Sequence, residues 1–451
     1  MRQRCLTVYV PEYKINLKSL QDIFEFIFKF TLASKYKIGI YKLIYNIENQ
    51  KSTKSMTPIE YIQKQDKHIL EKVVQWRRHL HQHPELSFEE KETTKYIASV
   101  LDEMGIPYEQ VSPTGLIGFI RGNGSSEKSV ALRADIDALP ITEENQHGYA
   151  SLNKGVMHAC GHDFHSSNLL GVAYLLNEIK HTLNGNVVLI FQAAEERIPG
   201  GASAIVASGI LDRYHVQKVI GQHVSPQLPL GTFGFKSGYA MASSDEIYID
   251  IMGRGGHGAQ PQLNIDPVII SAQLLVALQQ VVSRYADPRI PSVLSFGKVI
   301  ADGAANVIPS TVHLAGTFRT TDEQWRASAL AKIENMIVQT VDAYGASAKI
   351  EIKRGYPTLY NDPELTTEIQ QLATNLYGAE NCLSVPTWMA SEDFAYYAQQ
   401  YPALFYFVGT RNEEKGIVSE LHTPTFDIDE TIYERSVEFM FKGAVSVLQD
   451  L

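Results

Sequence analysis

NVVLIFQAAEE, from Asn186 to Glu196, sets the frame for reading the chain. Val187 to Phe191 are apolar without alternation, so the run reads as a buried strand. Two small residues and two acids follow it. Before it, SSNLLGVAYLLNEIK (166–180) has helical spacing, and after it KVIGQHV (218–224) is a second strand. SVALRADID (129–137) is a third. Upstream, TPIEYIQKQDKHILEKVVQWRRHLHQH (57–83) is helical, with Pro58 early and Pro84 ending it. ETTKYIASVLDEMG (92–105) is another helix, stopped by Gly105. Alternating helices and strands predict an α/β catalytic layer with a mixed, largely parallel sheet flanked by helices. Ligands of such sheets sit beyond the carboxyl ends of the strands.

Polar chemistry gathers at those ends. Asp135 and Asp137 follow one strand, Glu195 and Glu196 the next, and His223 the third. MHACGHDFHSS (157–167) packs one cysteine, three histidines and an aspartate into a single loop. Far downstream, SELHTPTFDIDE supplies His422 beside a proline. Thiolate, imidazole and carboxylate are together the usual donors for zinc and related ions. Cys160, His162, Glu196, His223 and His422 exceed what one zinc takes, which suggests two ions sharing a bridge. On an extended segment neighbouring side chains point opposite ways, so one of two adjacent glutamates can bind metal while the other serves as a base. Two further readings of Cys160 stay open here: a nucleophile activated by His162 and the nearby helix start, or a buried inert thiol.

Nine motifs then occur in family order: RRHLHQHPELSFEE, RADIDALPI, MHACGHDFH, FQAAEE, PGGA, GGHGAQP, NVIPSTVHLAGTFRT, SEDFAYY and LHTPTFDIDE. From about Glu60 to Leu451 the chain resembles the M20 metallopeptidase family. The likeness is strongest to its amidohydrolase branch of hippurate hydrolases, indole-acetyl-amino-acid hydrolases and N-acetyl-diaminopimelate deacetylases. The resemblance implies metal ligands at Cys160, His162, Glu196, His223 and His422, with Cys160 as the bridge, and two divalent ions, Mn²⁺ or Zn²⁺. It implies Glu195 as general base and Asp137 as the acid that orients a ligand. Ala193, Ala390 and Gln262 depart from common residues of the pattern and bear on pocket shape rather than on metal chemistry.

The resemblance also implies a lid inserted over 242–353, a four-stranded antiparallel sheet with two helices, between catalytic segments 57–241 and 354–451. The patterns agree. DEIYIDIMG alternates as a half-buried strand, Asp266-Pro267 caps a helix, SVLSFGKVIA and STVHLAGTF are strands, and TDEQWRASALAKIENMIVQTVDAYG and AKIEIKRG complete the unit. In relatives, residues matching His257, Asn306 and Arg319 lie near the substrate carboxylate or oxyanion. A homodimer through the lid would let His257 act across it.

Three patterns mislead. GRGGHG (253–258) matches GxGxxG, but its helix waits until Asp266 and no acid follows about 20 residues on, so it is not a dinucleotide site. His79 and His83 share a helix face with no acid partner and read as structural or substrate-side rather than as metal ligands. His158 and His165 read as neighbours of the ligands.

The net charge of −10 argues against nucleic acid and anionic membrane as partners. Cys5, Cys160 and Cys382 form no disulfide framework and suit the cytoplasm. Residues 1–55 lie outside the resemblance. They carry ten Lys/Arg against four Asp/Glu, and charges break every apolar run short of a spanning helix. They read either as an interfacial amphipathic helix or as sequence preceding a true start at Met56.

The expected activity is hydrolysis of N-acyl amino acids to a carboxylic acid and a free amino acid, by Glu-assisted attack of metal-bound water. A dinuclear-metal dipeptidase or carboxypeptidase is the alternative, ahead of a non-catalytic binding protein or a cysteine hydrolase.

Overall fold

The computed structural model describes residues 6–10, 13–17, 58–449 and 451, with side chains from His68 onward. It divides into two compact units, 1–66 and 67–451. The first contains an antiparallel strand pair, Leu6–Val10 with Tyr13–Leu17, in which Val8 faces Ile15. Residues 6–17 thus contribute strands, and the rest of the amphipathic-helix reading of the first 55 residues falls outside the described residues.

The longer helices among the described residues are α1 (Pro58–Gln82), α2 (Lys91–Met104), α3 (His162–Glu178), α4 (Pro267–Leu278), α5 (Glu323–Ala343), α6 (Pro363–Tyr377) and α7 (Tyr433–Gln449). One large sheet uses β1 (Tyr108–Glu109), β2 (Leu116–Ile120), β3 (Ser129–Asp135), β4 (Asn186–Gln192), β5 (Val216–Pro229) and β6 (Phe233–Phe235). A second sheet uses β7 (Asp245–Met252), β8 (Ser292–Ile300), β9 (Thr311–Thr320) and β10 (Ser347–Arg354). The chain then returns to the first with β11 (Cys382–Ser384) and β12 (Ala403–Arg411).

The large sheet runs β11-β6-β12-β5-β3-β4-β2-β1. Its central pairs β12-β5, β5-β3 and β3-β4 are parallel. Antiparallel pairing enters toward β1. Every residue of β3 and β4 is buried, which explains the unbroken apolar runs. The mixed α/β catalytic layer expected from the sequence is therefore present.

The second sheet is fully antiparallel, in the order β8-β9-β7-β10. Ile247, Ile249 and Ile251 alternate inward from β7 and meet Ile270, Leu274 and Leu278 of α4 and Ile333 and Ile337 of α5. Asp266 caps α4 by accepting from Val268 N at 2.9 Å, with Pro267 as its first residue. Residues 267–285, α4 with the π-turn after it, are the one stretch among the described residues long and apolar enough for a membrane span by length and composition. Ile270, Leu274, Leu278 and Val281 turn into this sheet's core, while Ile269 and Val276 stay exposed.

Two local features aim side chains at the site. Helix α3 starts at His162, earlier than the apolar spacing from Ser166 predicts. Gly161 makes this turn at φ 82°, and a Cβ there would come within 2.6 Å of Val224. Strand β5 continues to Pro229, whereas its pairing with β3 ends at Arg133 opposite Gly221. His223 thus lies just past the last rung on that edge.

Candidate metal centre

Cys160, buried, sits between two imidazoles. His223 Nε2 is 3.4 Å and His422 Nε2 is 3.3 Å from its Sγ. His422 Nε2 is also 3.2 Å from Glu196 Oε1, and His162 Nε2 is 3.9 Å from the same oxygen. The donors form two clusters with one shared member: Cys160, His162 and His223, and Cys160, Glu196 and His422. The loop at His422 is held by its own N–H, which donates to Ala159 O at 2.8 Å, and the residue takes φ 60°. All five expected ligands are brought to one place.

Hydrogen bonds fix which nitrogens face inward. His223 Nδ1 donates to Val224 O at 2.7 Å, so Nε2 presents its lone pair to Cys160. His162 Nδ1 lies 2.9 Å from Asp137 O and 3.2 Å from Asp137 Oδ1. Its Nε2 is left buried without a hydrogen-bond partner, and Glu196 Oε1 has only the His162 and His422 nitrogens near it. Asp137 is itself held by Ser87 Oγ at 2.7 Å and Glu196 N at 2.9 Å.

A divalent cation fits this set. Buried orphan acceptors of this kind are costly unless something satisfies them. Tetrahedral zinc bonds of roughly 2.0–2.3 Å separate neighbouring donors by about 3.3–3.6 Å, the spacing seen around Cys160. The local field agrees. Burial pulls the His162 pKa down, but Asp135, Asp137 and Glu196 outweigh it and raise it to about 10. This pocket therefore wants positive charge. Burial, then Glu196, Glu195 and Asp135, push the Cys160 thiol well above its ordinary range. A free thiolate nucleophile is disfavoured there, and only a cation would stabilise it.

Glu195 is buried at the wall of a cavity of about 860 Å³ that also meets Cys160, Glu196, His223, His422 and Arg319. Burial and then Glu392, Glu196, Asp393 and Asp137 raise its carboxyl well above the usual range. Tyr356 anchors its backbone by donating to Glu195 O.

The SEDF motif contributes residues that the sequence reading left without a role. Buried Arg133 binds Asp135 at 2.6 Å and both Glu392 and Asp393 at 2.9 Å. Glu392 lines the cavity, and burial, opposed by Arg133, leaves its pKa at about 8. The signal was two adjacent acids in a motif and an arginine two residues before Asp135.

The other expected residues separate. Arg319 lines the cavity with Nη1 buried and unpartnered. His257 and Asn306 are exposed, do not line the cavity, and sit side by side, with Gly258 N donating to Asn306 O at 2.8 Å. His165 is spent: Nδ1 is 2.6 Å from Asp135 Oδ1, and Nε2 accepts from Val224 N at 3.0 Å. His158 is buried, and burial lowers its pKa to about 4. His79 stacks on Tyr96 and His83. Of the departures, Ala390 alone of the three lines the cavity.

Residues 131–444 match the model of peptidase family M20/M25/M40. The chain is 40% identical over 376 residues to the N-acetyl-L-cysteine deacetylase of Bacillus subtilis, covering 82% of this chain and 87% of that protein. It is 37% identical over 381 residues to thermostable carboxypeptidase 2 of Saccharolobus solfataricus, covering 84% and 95%. Among solved structures, the Bacillus subtilis YxeP protein, described as a dinuclear metal binding peptidase from the M20 family, superposes with a TM-score of 0.72 at 34% identity. That match covers 85% of this chain and all of the other.

Proposed function

The chain belongs to peptidase family M20/M25/M40, a family of metal-dependent amidohydrolases and peptidases, and from that premise we propose that it hydrolyses N-acyl amino acids to a carboxylic acid and a free amino acid. The observation that carries this reading is buried Glu195 at the wall of a cavity that Cys160, Glu196, His223 and His422 also line. Cys160, His162, Glu196, His223 and His422 would hold two divalent ions, Mn²⁺ or Zn²⁺. Such ions, when bound, polarise a carbonyl and make water a nucleophile near neutral pH.

The remaining work belongs to side chains. Glu195 takes a proton from the attacking water at a carboxylate oxygen and delivers it to the leaving amine nitrogen. Its burial and its acidic neighbours raise its proton affinity in the metal-free protein. Asp137 fixes His162 from behind. Arg319, which lines the cavity and keeps a buried Nη1 without a partner, receives the carboxylate of the amino-acid half. His257 and Asn306 act from the partner copy of a homodimer joined through the 242–353 lid, where Ile269 and Val276 expose apolar surface. Free Cys160 and Cys382 accord with a cytoplasmic location.

A dipeptidase or carboxypeptidase is the second reading, favoured by the similarity to thermostable carboxypeptidase 2. N-acetyl and N-benzoyl amino acids, tested beside free dipeptides and before and after chelation, separate the two. Cleavage of the acyl amino acids, lost on chelation and restored by Mn²⁺ or Zn²⁺, supports the proposal. Cleavage of dipeptides alone replaces it with the peptidase reading.

A further inference from the structure

Glu195 and Glu196 sit on a segment without regular structure. Strand β4 ends at Gln192, Ala194 takes φ 55°, and residues 194–196 make no backbone–backbone hydrogen bond among the described residues. Side chains hold the segment instead. Glu90 Oε1 accepts from Ala194 N at 2.8 Å, and Asp137 Oδ2 accepts from Glu196 N at 2.9 Å. Glu90 precedes α2 and Asp137 follows β3, so both belong to the large-sheet layer. The third hold, the Tyr356 hydroxyl on Glu195 O, comes from elsewhere.

Tyr356 lies where the chain leaves the second sheet. Residues 242–244 lead into β7, and 355–358 lead out of β10. The two crossings are laced together. Gly355 N donates to Ser244 O at 2.8 Å, Ser244 N to Tyr356 O at 3.0 Å, and Tyr356 N to Ser244 Oγ at 3.1 Å. Gly355 permits this approach, since a Cβ there would come within 2.5 Å of Ser244 O. Arg326 of α5 clasps the pair. It donates to Ser244 O at 3.2 Å, to Gly355 O at 3.1 Å, and to the two Asp245 oxygens at 2.7 and 2.9 Å. Glu323, at the start of the same helix, binds Arg326 and accepts from Thr358 N at 2.7 Å. The Tyr356 ring is buried, lines the main cavity and lies against Gly200, where a Cβ would meet its Cε1 at 3.0 Å. Burial, then Asp393, Glu195 and Glu392, hold its phenol protonated, so it acts as a donor.

We propose that Tyr356 is a positioning residue: its hydroxyl sets where Glu195 stands, and it carries the placement of the second sheet into the geometry of the base. The inference rests on Glu195 serving as general base in the reading above. Proton transfer tolerates little displacement, and about 1 Å can cost on the order of 10²-fold in rate. Glu195 O is bonded one carbon away from the Cα that bears the carboxylate side chain, so the phenol acts on the base through a short lever.

Tyr356→Phe keeps the ring on Gly200 and removes only the donor. On whichever amide substrate the metal-loaded wild-type enzyme cleaves, kcat should fall about 10- to 100-fold, with KM within about twofold and metal content unchanged. Hydrogen exchange gives a readout apart from turnover. The peptide spanning 193–200 should exchange faster in the variant, and that spanning 129–135 at the wild-type rate. Tyr356→Phe should cost less than about twofold in a Glu195→Gln background, since both changes act on one group. Arg326→Lys keeps a charge beside Asp245 and loses reach to the two carbonyls. It should lower kcat several-fold in the wild-type background and by less than about twofold in Tyr356→Phe. Wild-type kcat in Tyr356→Phe, or a loss confined to KM, overturns the proposal. Faster exchange throughout the large sheet makes the phenol a general structural support and overturns it too. Losses that multiply with Glu195→Gln overturn the link to the base, and losses that multiply with Arg326→Lys overturn the link to the second sheet. Cleavage of dipeptides alone overturns the amidohydrolase reading, and the same variants then decide this proposal on the dipeptide. No cleavage of either substrate class removes the base and overturns both.

Discussion

Asp137 grips His162 twice, through its carbonyl oxygen at 2.9 Å and its Oδ1 at 3.2 Å from the same Nδ1. This double contact selects one tautomer and aims Nε2 at Glu196. The other carboxylate oxygen receives Ser87 and the Glu196 N–H, so one aspartate positions two expected ligands. Asp137→Ala should weaken metal binding by about 10- to 100-fold. Competition with a chromophoric chelator measures it. Unchanged affinity would show that helix α3 and the backbone alone hold His162 in place.

Glu195→Gln keeps the shape of the side chain and removes its capacity to take a proton. Metal content should stay at the wild-type level while kcat falls by about 10²- to 10⁴-fold. Elemental analysis and initial rates on the same preparation check both halves. Substantial turnover in a fully metallated variant would move the proton transfer to another group, Glu392 first among them.

The strands and the acids at their ends were legible because an apolar run stops abruptly at each of them. The second, antiparallel sheet was legible because its strands alternate while those of the large sheet do not. Arg133 with Glu392 and Asp393 was not legible. These partners lie more than 250 residues apart, and no local pattern encodes a pairing set by sheet order. The start of α3 was missed for a different reason. Apolar spacing begins at Ser166, whereas the turn into the helix is made by Gly161 in a left-handed conformation that Val224 packs over. His257, set in a glycine-rich segment, gave no local sign that it would stand exposed and off the cavity.

Removing metal should change Cys160 as well as activity. Chelation is expected to abolish hydrolysis, and Mn²⁺ or Zn²⁺ to restore it. Cys160 is buried among carboxylates that raise its pKa, so alkylation should be slow in the apoprotein at neutral pH and slower still once metal is bound. Mass spectrometry of alkylated peptides gives both rates. Activity that survives chelation and is abolished by alkylation would make Cys160 the nucleophile.

Arg133 is the sole arginine or lysine paired with Asp135, Glu392 and Asp393 among the described residues, and all four side chains are buried. Removing it takes the counter-charge from Asp135 and Asp393 in a low-dielectric interior, beside a Glu392 whose pKa burial already holds at about 8. Arg133→Met should cost about 3–5 kcal/mol in urea unfolding. Arg133→Lys keeps the charge and loses the fork that reaches three acids, so it should fall between the two. A loss below about 1 kcal/mol would mean that the carboxylates take up protons in its place.

His81 gives the fold a pH dependence away from the metal ligands. Its ring is fully buried, with Nδ1 2.9 Å from Asp163 and Nε2 3.1 Å from Glu143. Burial and Arg77 lower its pKa, but Asp163 and Glu143 outweigh them and carry it to about 9. His158, and His147 at 3.4 Å from Glu143, complete the surroundings, with Asp427 on the far side of Arg77. The folded value lies above the unfolded value of about 6.5. The imidazolium therefore contributes its full stabilisation below about pH 6.5, and that contribution is lost as pH rises through 9. The difference is on the order of 3 kcal/mol. Thermal unfolding of the metal-loaded protein from pH 6 to 9.5 should show Tm falling across this window, and His81→Gln should flatten the slope. Identical slopes in the two proteins would assign the effect to other groups.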